Sequence, residues 1–103
     1  MARNTFTKLS PTASEAKAVN CREAEWVEIH INDLSGGDTI TVSRALQDDA
    51  DFITWALMDQ NLNSAGSSFT AAGIYQTEGG AWLKFTKTGS ASNPTVHVRS
   101  TTS

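Results

Sequence analysis

Residues 25–32 read Glu-Trp-Val-Glu-Ile-His-Ile-Asn, with Val27, Ile29 and Ile31 alternating against Glu28 and His30. Successive side chains of a strand point to opposite faces, so this period of two gathers three β-branched residues on one side and polar residues on the other. A helix would need apolar residues three and four positions apart. The stretch predicts a strand with one face against a core.

The same pattern returns further along the chain. Thr39–Arg44 directs Ile40 and Val42 inward, Ala81–Lys87 sets Ala81, Leu83 and Phe85 against Trp82, Lys84 and Thr86, and Thr95–Ser100 turns Val96 and Val98 in. Phe52–Met58 places Ile53, Trp55 and Leu57 on one face. Ala16–Asn20 is a short strand, and Phe69–Gln76 another, broken or bulged near Gly73. Turn chemistry separates them: Leu34–Asp38, the tip Gln47–Asp51, the polar stretch Gln60–Ser68, Gly79-Gly80 and Thr88–Pro94. Both Gly pairs, Gly36-Gly37 and Gly79-Gly80, read as hairpin turns. Helical periodicity competes only in Ser43–Trp55, where the Asp pair and the β-branched Ile53 and Thr54 leave room for one turn at most.

About seven short strands with no convincing helix predict an all-β chain, a single small antiparallel β-sandwich, Ig-like or jelly-roll-like. A closed barrel is the competing architecture. The expected inward set is Val27, Ile29, Ile31, Ile40, Val42, Ile53, Trp55, Leu57, Leu83, Phe85, Val96 and Val98. Residues 1–14, MARNTFTKLSPTAS, sustain neither periodicity and read as an extended N-terminal arm, leaving 15–103 as the sandwich domain. In that arm Phe6 and Leu9 suit a neighbour's groove.

Bulk properties narrow the function. A chain of 103 residues, 39% apolar, fits one packed domain. Its net charge of −3, with eight scattered Lys and Arg, argues against a nucleic-acid partner. No apolar run is long enough to span a bilayer, so no membrane partner is expected. Cys21 is the one cysteine, which excludes an intrachain disulfide, and the first residues carry no secretion signal. Synthesis in a reducing host cytoplasm is the expectation. A sandwich of this size gains stability from binding a partner.

Catalysis finds little to work with. No Gly-x-Ser-x-Gly elbow occurs, and the two histidines, His30 and His97, fall on outward strand phases. Asp48, Asp49 and Asp51 cluster in a turn without metal-ligand spacing, so neither a metal nor a cofactor is expected, and the chain is not expected to be an enzyme. Trp26 and Trp82 sit on the phase opposite the core. They are either covered by other parts of the fold or exposed, able to stack on a sugar or anchor an interface.

Four segments carry a resemblance: TITVSRALQDDADFITWAL (39–57), FTAAGIYQ (69–76), AWLKFTKTG (81–89) and PTVHVRS (94–100). With them, Glu25–Arg99 resembles a small β-sandwich module recurrent in tailed-bacteriophage structural proteins. There a Trp follows an acidic or Gly-rich tip and a late strand ends near an Arg, places held here by Trp55 and Arg99. The tip here is longer and all acid, and the arm has no counterpart in the module. An arm joined to one such module is similar to capsid decoration, or cement, proteins. The resemblance implies a virion protein on the capsid surface, bridging capsid subunits, with the major capsid protein or another virion protein as partner, or further copies of itself. Candidate partner-binding residues are Phe6, Leu9, Trp26, Trp82 and Arg99. A tail, head-fibre or baseplate module, and a carbohydrate- or receptor-binding domain using Trp26 or Trp82, are the alternatives.

Overall fold

The apolar stripes meet face to face in the computed structural model, which describes residues 3–47 and 51–102. Among the described residues eleven strands follow one another: β1 Arg3–Leu9, β2 Lys17–Cys21, β3 Trp26–Asn32, β4 Thr39–Ala45, β5 Ile53–Thr54, β6 Leu57–Met58, β7 Ser64–Gly66, β8 Ser68–Phe69, β9 Gly73–Glu78, β10 Ala81–Thr88 and β11 Thr95–Thr102. One sheet has the order β1-β11-β3-β9-β6-β7, the other β2-β10-β4-β5, with β8 also paired to β4. Neither sheet closes on itself. The fold is an antiparallel sandwich, and the barrel alternative falls away.

Between the sheets lie Val27, Ile29, Ile40, Val42, Leu57, Phe85 and Val96, all at 0% exposure, with Ile31 and Leu83 beside them. Each such side chain contributes about 1.5–3 kcal/mol when fully buried. The alternation read from residues 25–32 is therefore the packing pattern itself.

The connections differ from the hairpins expected of them. β3 lies in the six-stranded sheet and β4 in the five-stranded one, so Gly36-Gly37 carries the chain across the sandwich. Gly79-Gly80 does the same between β9 and β10. The tight corner explains the second pair: a Cβ on Gly79 would stand 2.0 Å from the Ala24 carbonyl oxygen, and Gly80 takes φ +92. Among the described residues, only β4–β5 and β6–β7 are pairs of consecutive strands in one sheet. A fold held by pairings distant in sequence is slow to assemble, because chain entropy is lost before those contacts form.

Two further expectations are corrected. Residues 3–9 are not an arm outside the sandwich: β1 pairs along its whole length with β11, from Arg3 opposite Thr102 to Leu9 opposite Val96. The boundary between residues 14 and 15 is thus internal to the domain, with Pro11 buried and a bridge joining Thr12 to Glu15. Ile53 is 65% exposed rather than inward. The chain leaves one sheet after Thr54 and enters the other at Leu57, so the phase of Leu57 says nothing about Ile53.

Candidate interaction surface

The long strands β1, β11, β3 and β9 lie side by side, and their buried residues fix which side chains point outward. Register then builds three rows across the outer face. Phe6, Arg99, Glu28 and Gln76 form the middle row. Lys8, His97, His30 and Ile74 form the second, and Asn4, Thr101, Trp26 and Glu78 the third.

Glu28 organises the middle of this face. Its carboxylate accepts a hydrogen bond from Arg99 Nη2 at 2.9 Å and contacts His30 Nε2 at 2.6 Å. Phe6, 74% exposed, stands beside this cluster at the mouth of a shallow groove of about 270 Å³. A nearly bare phenyl ring next to an ion pair has the chemistry a contact surface would use, since an incoming apolar group gains area while the charges set its orientation.

Of the five residues singled out in the sequence, the structure brings Phe6 and Arg99 together as direct cross-strand neighbours. Trp26 shares their face but is half-buried, its indole N–H donating to Gln76 Oε1 at 2.8 Å while Gln76 Nε2 donates to the Asp59 carbonyl at 2.8 Å. Leu9 is not available to a neighbour, because it packs against the protein's own core. Trp82 belongs to the other sheet and cannot share a face with Arg99. It too is half-buried, and its indole nitrogen finds no hydrogen-bond partner among the described residues.

A second groove, about 470 Å³, runs past Trp26, Trp55 and Leu62. Both indole N–H groups there are already committed, that of Trp55 to Thr77 Oγ1 at 2.9 Å. Arg44 stacks over the Trp55 ring at 4.4 Å while donating to the carbonyls of Glu78 and Gly79. Beside the sheet that carries Trp82, Leu46 and Ile53 line a third surface with Trp55, and Leu46 and Ile53 are 70% and 65% exposed. Asp48 and Asp49 lie outside the described residues. Among the described residues no three His, Cys, Asp or Glu side chains come together as a metal site would need.

Sequence reasoning missed a buried polar corner. Lys87 continues the inward phase of Ala81, Leu83 and Phe85, and it is buried, with Nζ 3.4 Å from Asp38 Oδ2. Asp38 also accepts from Ser92 Oγ and Ser92 N, each at 2.7 Å, and from Ala91 N at 3.1 Å. The Ser92 hydroxyl, the two amides and the Lys87 ammonium together hold the Asp38 carboxyl at about 2, below its usual value of 3.8. A Cβ on Gly89 would sit 2.2 Å from Asp38 Oδ1, so the close approach requires glycine. The signal was present: one more step of the β10 alternation lands on Lys87. Cys21 is likewise buried, and desolvation pushes its thiol up to about 11, which makes it a packed side chain rather than a nucleophile.

No protein-family model and no curated protein sequence matches the chain. Solved structures do. The SPBc2 prophage-derived protein YomS superposes with a TM-score of 0.82 at 13% identity, covering 99% of this chain and 96% of that one. A structure from Bacillus endospore appendages, described as disulfide-linked pili, aligns at 10% identity with a TM-score of 0.45, over 100% of this chain and 88% of that one. RmlC from Streptococcus suis, in complex with dTDP-D-xylose, aligns at 12% identity with a TM-score of 0.40, over 96% and 43%. At such identities a likeness speaks for fold alone, and only the first is close enough to weigh: this chain is similar in fold, from end to end, to a prophage-derived protein.

Proposed function

We propose that the chain is a structural accessory protein of a tailed-phage particle, binding the outside of the capsid and bridging shell subunits. The observation that carries this reading is the end-to-end likeness to a protein of prophage origin. The surface chemistry supports it. Adhesion needs an open apolar surface, and the sandwich carries one at Leu46 and Ile53, away from the outer face of the six-stranded sheet. The protein works by adhesion rather than by catalysis, with the major capsid protein or another virion protein as its partner. A ligand that binds only the assembled lattice shifts the equilibrium toward that lattice, and many weak bridges add up.

The carbohydrate-binding alternative has less support, since Trp26 and Trp82 are both half-buried rather than open. Removal of residues 1–11 would not test adhesion cleanly, because it deletes β1 from the sheet. The test is instead the double variant Leu46→Ser, Ile53→Ser, mixed with the cognate particle and imaged by electron microscopy. Both positions are solvent-exposed, so the variant should keep its fold and lose shell occupancy. Full occupancy by the variant rejects the tip as an adhesive surface. Failure of the native chain to co-purify with any particle rejects the virion reading.

A further inference from the structure

We propose that the outer face of the six-stranded sheet is covered by a second copy of this chain, forming a two-fold dimer. Phe6 at 74% exposure and Ile74 at 42% both point from this face, one at each flank. What occupies the face is indicated by its charges. The outward positions of β1 and β11 include Lys8 and Arg99 and no acid, whereas those of β3 and β9 include Glu28 and Glu78 and neither Lys nor Arg. One half of the face is basic and the other acidic. A two-fold axis that runs along the strands between β11 and β3 brings each half against the opposite half of the other copy, so in that arrangement the face is complementary to itself.

The register makes the pairing specific. Arg99 and Glu28 are direct cross-strand partners on the two central strands of the four. A two-fold axis lying in the interface, parallel to the strands and between β11 and β3, exchanges β11 with β3 and β1 with β9. Arg99 of each copy then meets Glu28 of the other, and each Glu28 carboxylate is shared between two guanidiniums. Phe6 comes over Gln76 beside Ile74 of the second copy, and the alkyl stem of Lys8 lies across Ile74. Four strands spaced about 4.8 Å apart and some seven residues long present a face of roughly 19 by 23 Å. That is below the standard size of specific, stable interfaces, which implies a weak, reversible dimer. The inference stands on the isolated chain and does not depend on the virion reading. It deepens that reading, because a dimer carries two Leu46–Ile53 tips and so reaches two shell subunits.

Sedimentation equilibrium on the full chain tests it, alone and as variants. The native chain should show a concentration-dependent monomer–dimer equilibrium that weakens as salt is raised, and Phe6→Asp should weaken it at least about tenfold. Arg99→Glu alone places two acids opposite each other, and Glu28→Arg alone places two bases, so each variant should be monomeric. Mixed in equal amounts, the two should re-form a dimer, because the mixed pair restores both oppositely charged contacts. Recovery on mixing cannot arise from misfolding of either variant. A native chain that stays monomeric up to roughly 1 mM overturns the proposal, as does failure of the mixed variants to associate. Loss of shell binding by the Leu46, Ile53 variant leaves this assay unaffected, so the two readings fail separately.

Discussion

On the outer face, Glu28 holds Arg99 at 2.9 Å and His30 at 2.6 Å, with side chains that are 33%, 44% and 40% exposed. In the corner where β4 begins, Asp38 holds Lys87 at 3.4 Å with side chains that are 3% and 5% exposed, and receives three more donors from residues 91 and 92. The two clusters have nearly the same chemistry and opposite surroundings. Water competes for the first at every moment, so its Arg99–Glu28 ion pair adds little to stability and is not locked in place. The second has no water to fall back on. Its charges had to find each other, and having done so they tie the Gly36-Gly37 crossing to the loop before β11.

Removing the cation from each cluster should expose the difference most strongly. Lys87→Met leaves the Asp38 carboxylate buried without its counter-charge, and should lower the melting temperature by on the order of 10 °C. Arg99→Met, on the face, should leave stability within about 0.5 kcal/mol of the native chain. Thermal and urea unfolding of both variants checks the contrast. Equal losses would mean that burial does not separate the clusters.

Acid should act on the corner next. The Asp38 carboxyl lies at about 2 in the folded chain against an ordinary 3.8, a depressed value. Its stabilising contribution is therefore fully present above about pH 4 and is lost as pH falls from there through about 2. Urea midpoints measured between pH 5 and pH 2 should fall for the native chain and fall less steeply for Asp38→Asn. An unchanged slope in that variant would place the acid-sensitive group elsewhere.

The same contrast explains what the sequence discloses. Strands β3, β10 and β11 are legible because every second residue meets the opposite sheet, so composition and packing share one period. Edge strand β1 is hidden: its outward positions hold Phe6 and Lys8, while Thr5 and Thr7 take the inward phase, which erases the apolar alternation. Ile53 is misread because a sheet change within three residues resets the phase. Lys87 holds the next inward position of β10, but a lysine there reads as the end of the apolar run until Asp38 is seen beside it. Phe6 and Arg99 are legible singly, as an exposed aromatic and a strand-end base. Their adjacency depends on the β1–β11 pairing and could not be read without it.

Trp82 lies between the two cases. Like the corner it is a buried polar group, since the indole nitrogen is shielded from solvent; unlike the corner it finds no partner among the described residues. The Arg22 guanidinium lies 5.9 Å from the ring centre, a distant cation–π contact that does not satisfy the N–H. A buried donor left unpaired costs about 1–3 kcal/mol, and an apolar side chain of similar shape avoids that cost. Trp82→Phe removes the N–H and also some packed volume, which opposes the gain. The two should nearly cancel, leaving stability within about 1 kcal/mol of the native chain, whereas Trp82→Ala loses the ring altogether and should cost about 3 kcal/mol or more. Urea unfolding of the two variants reads the difference. If Trp82→Phe proves as costly as Trp82→Ala, the indole N–H has a partner, and Trp82 belongs with Asp38 and Lys87 as a satisfied polar group.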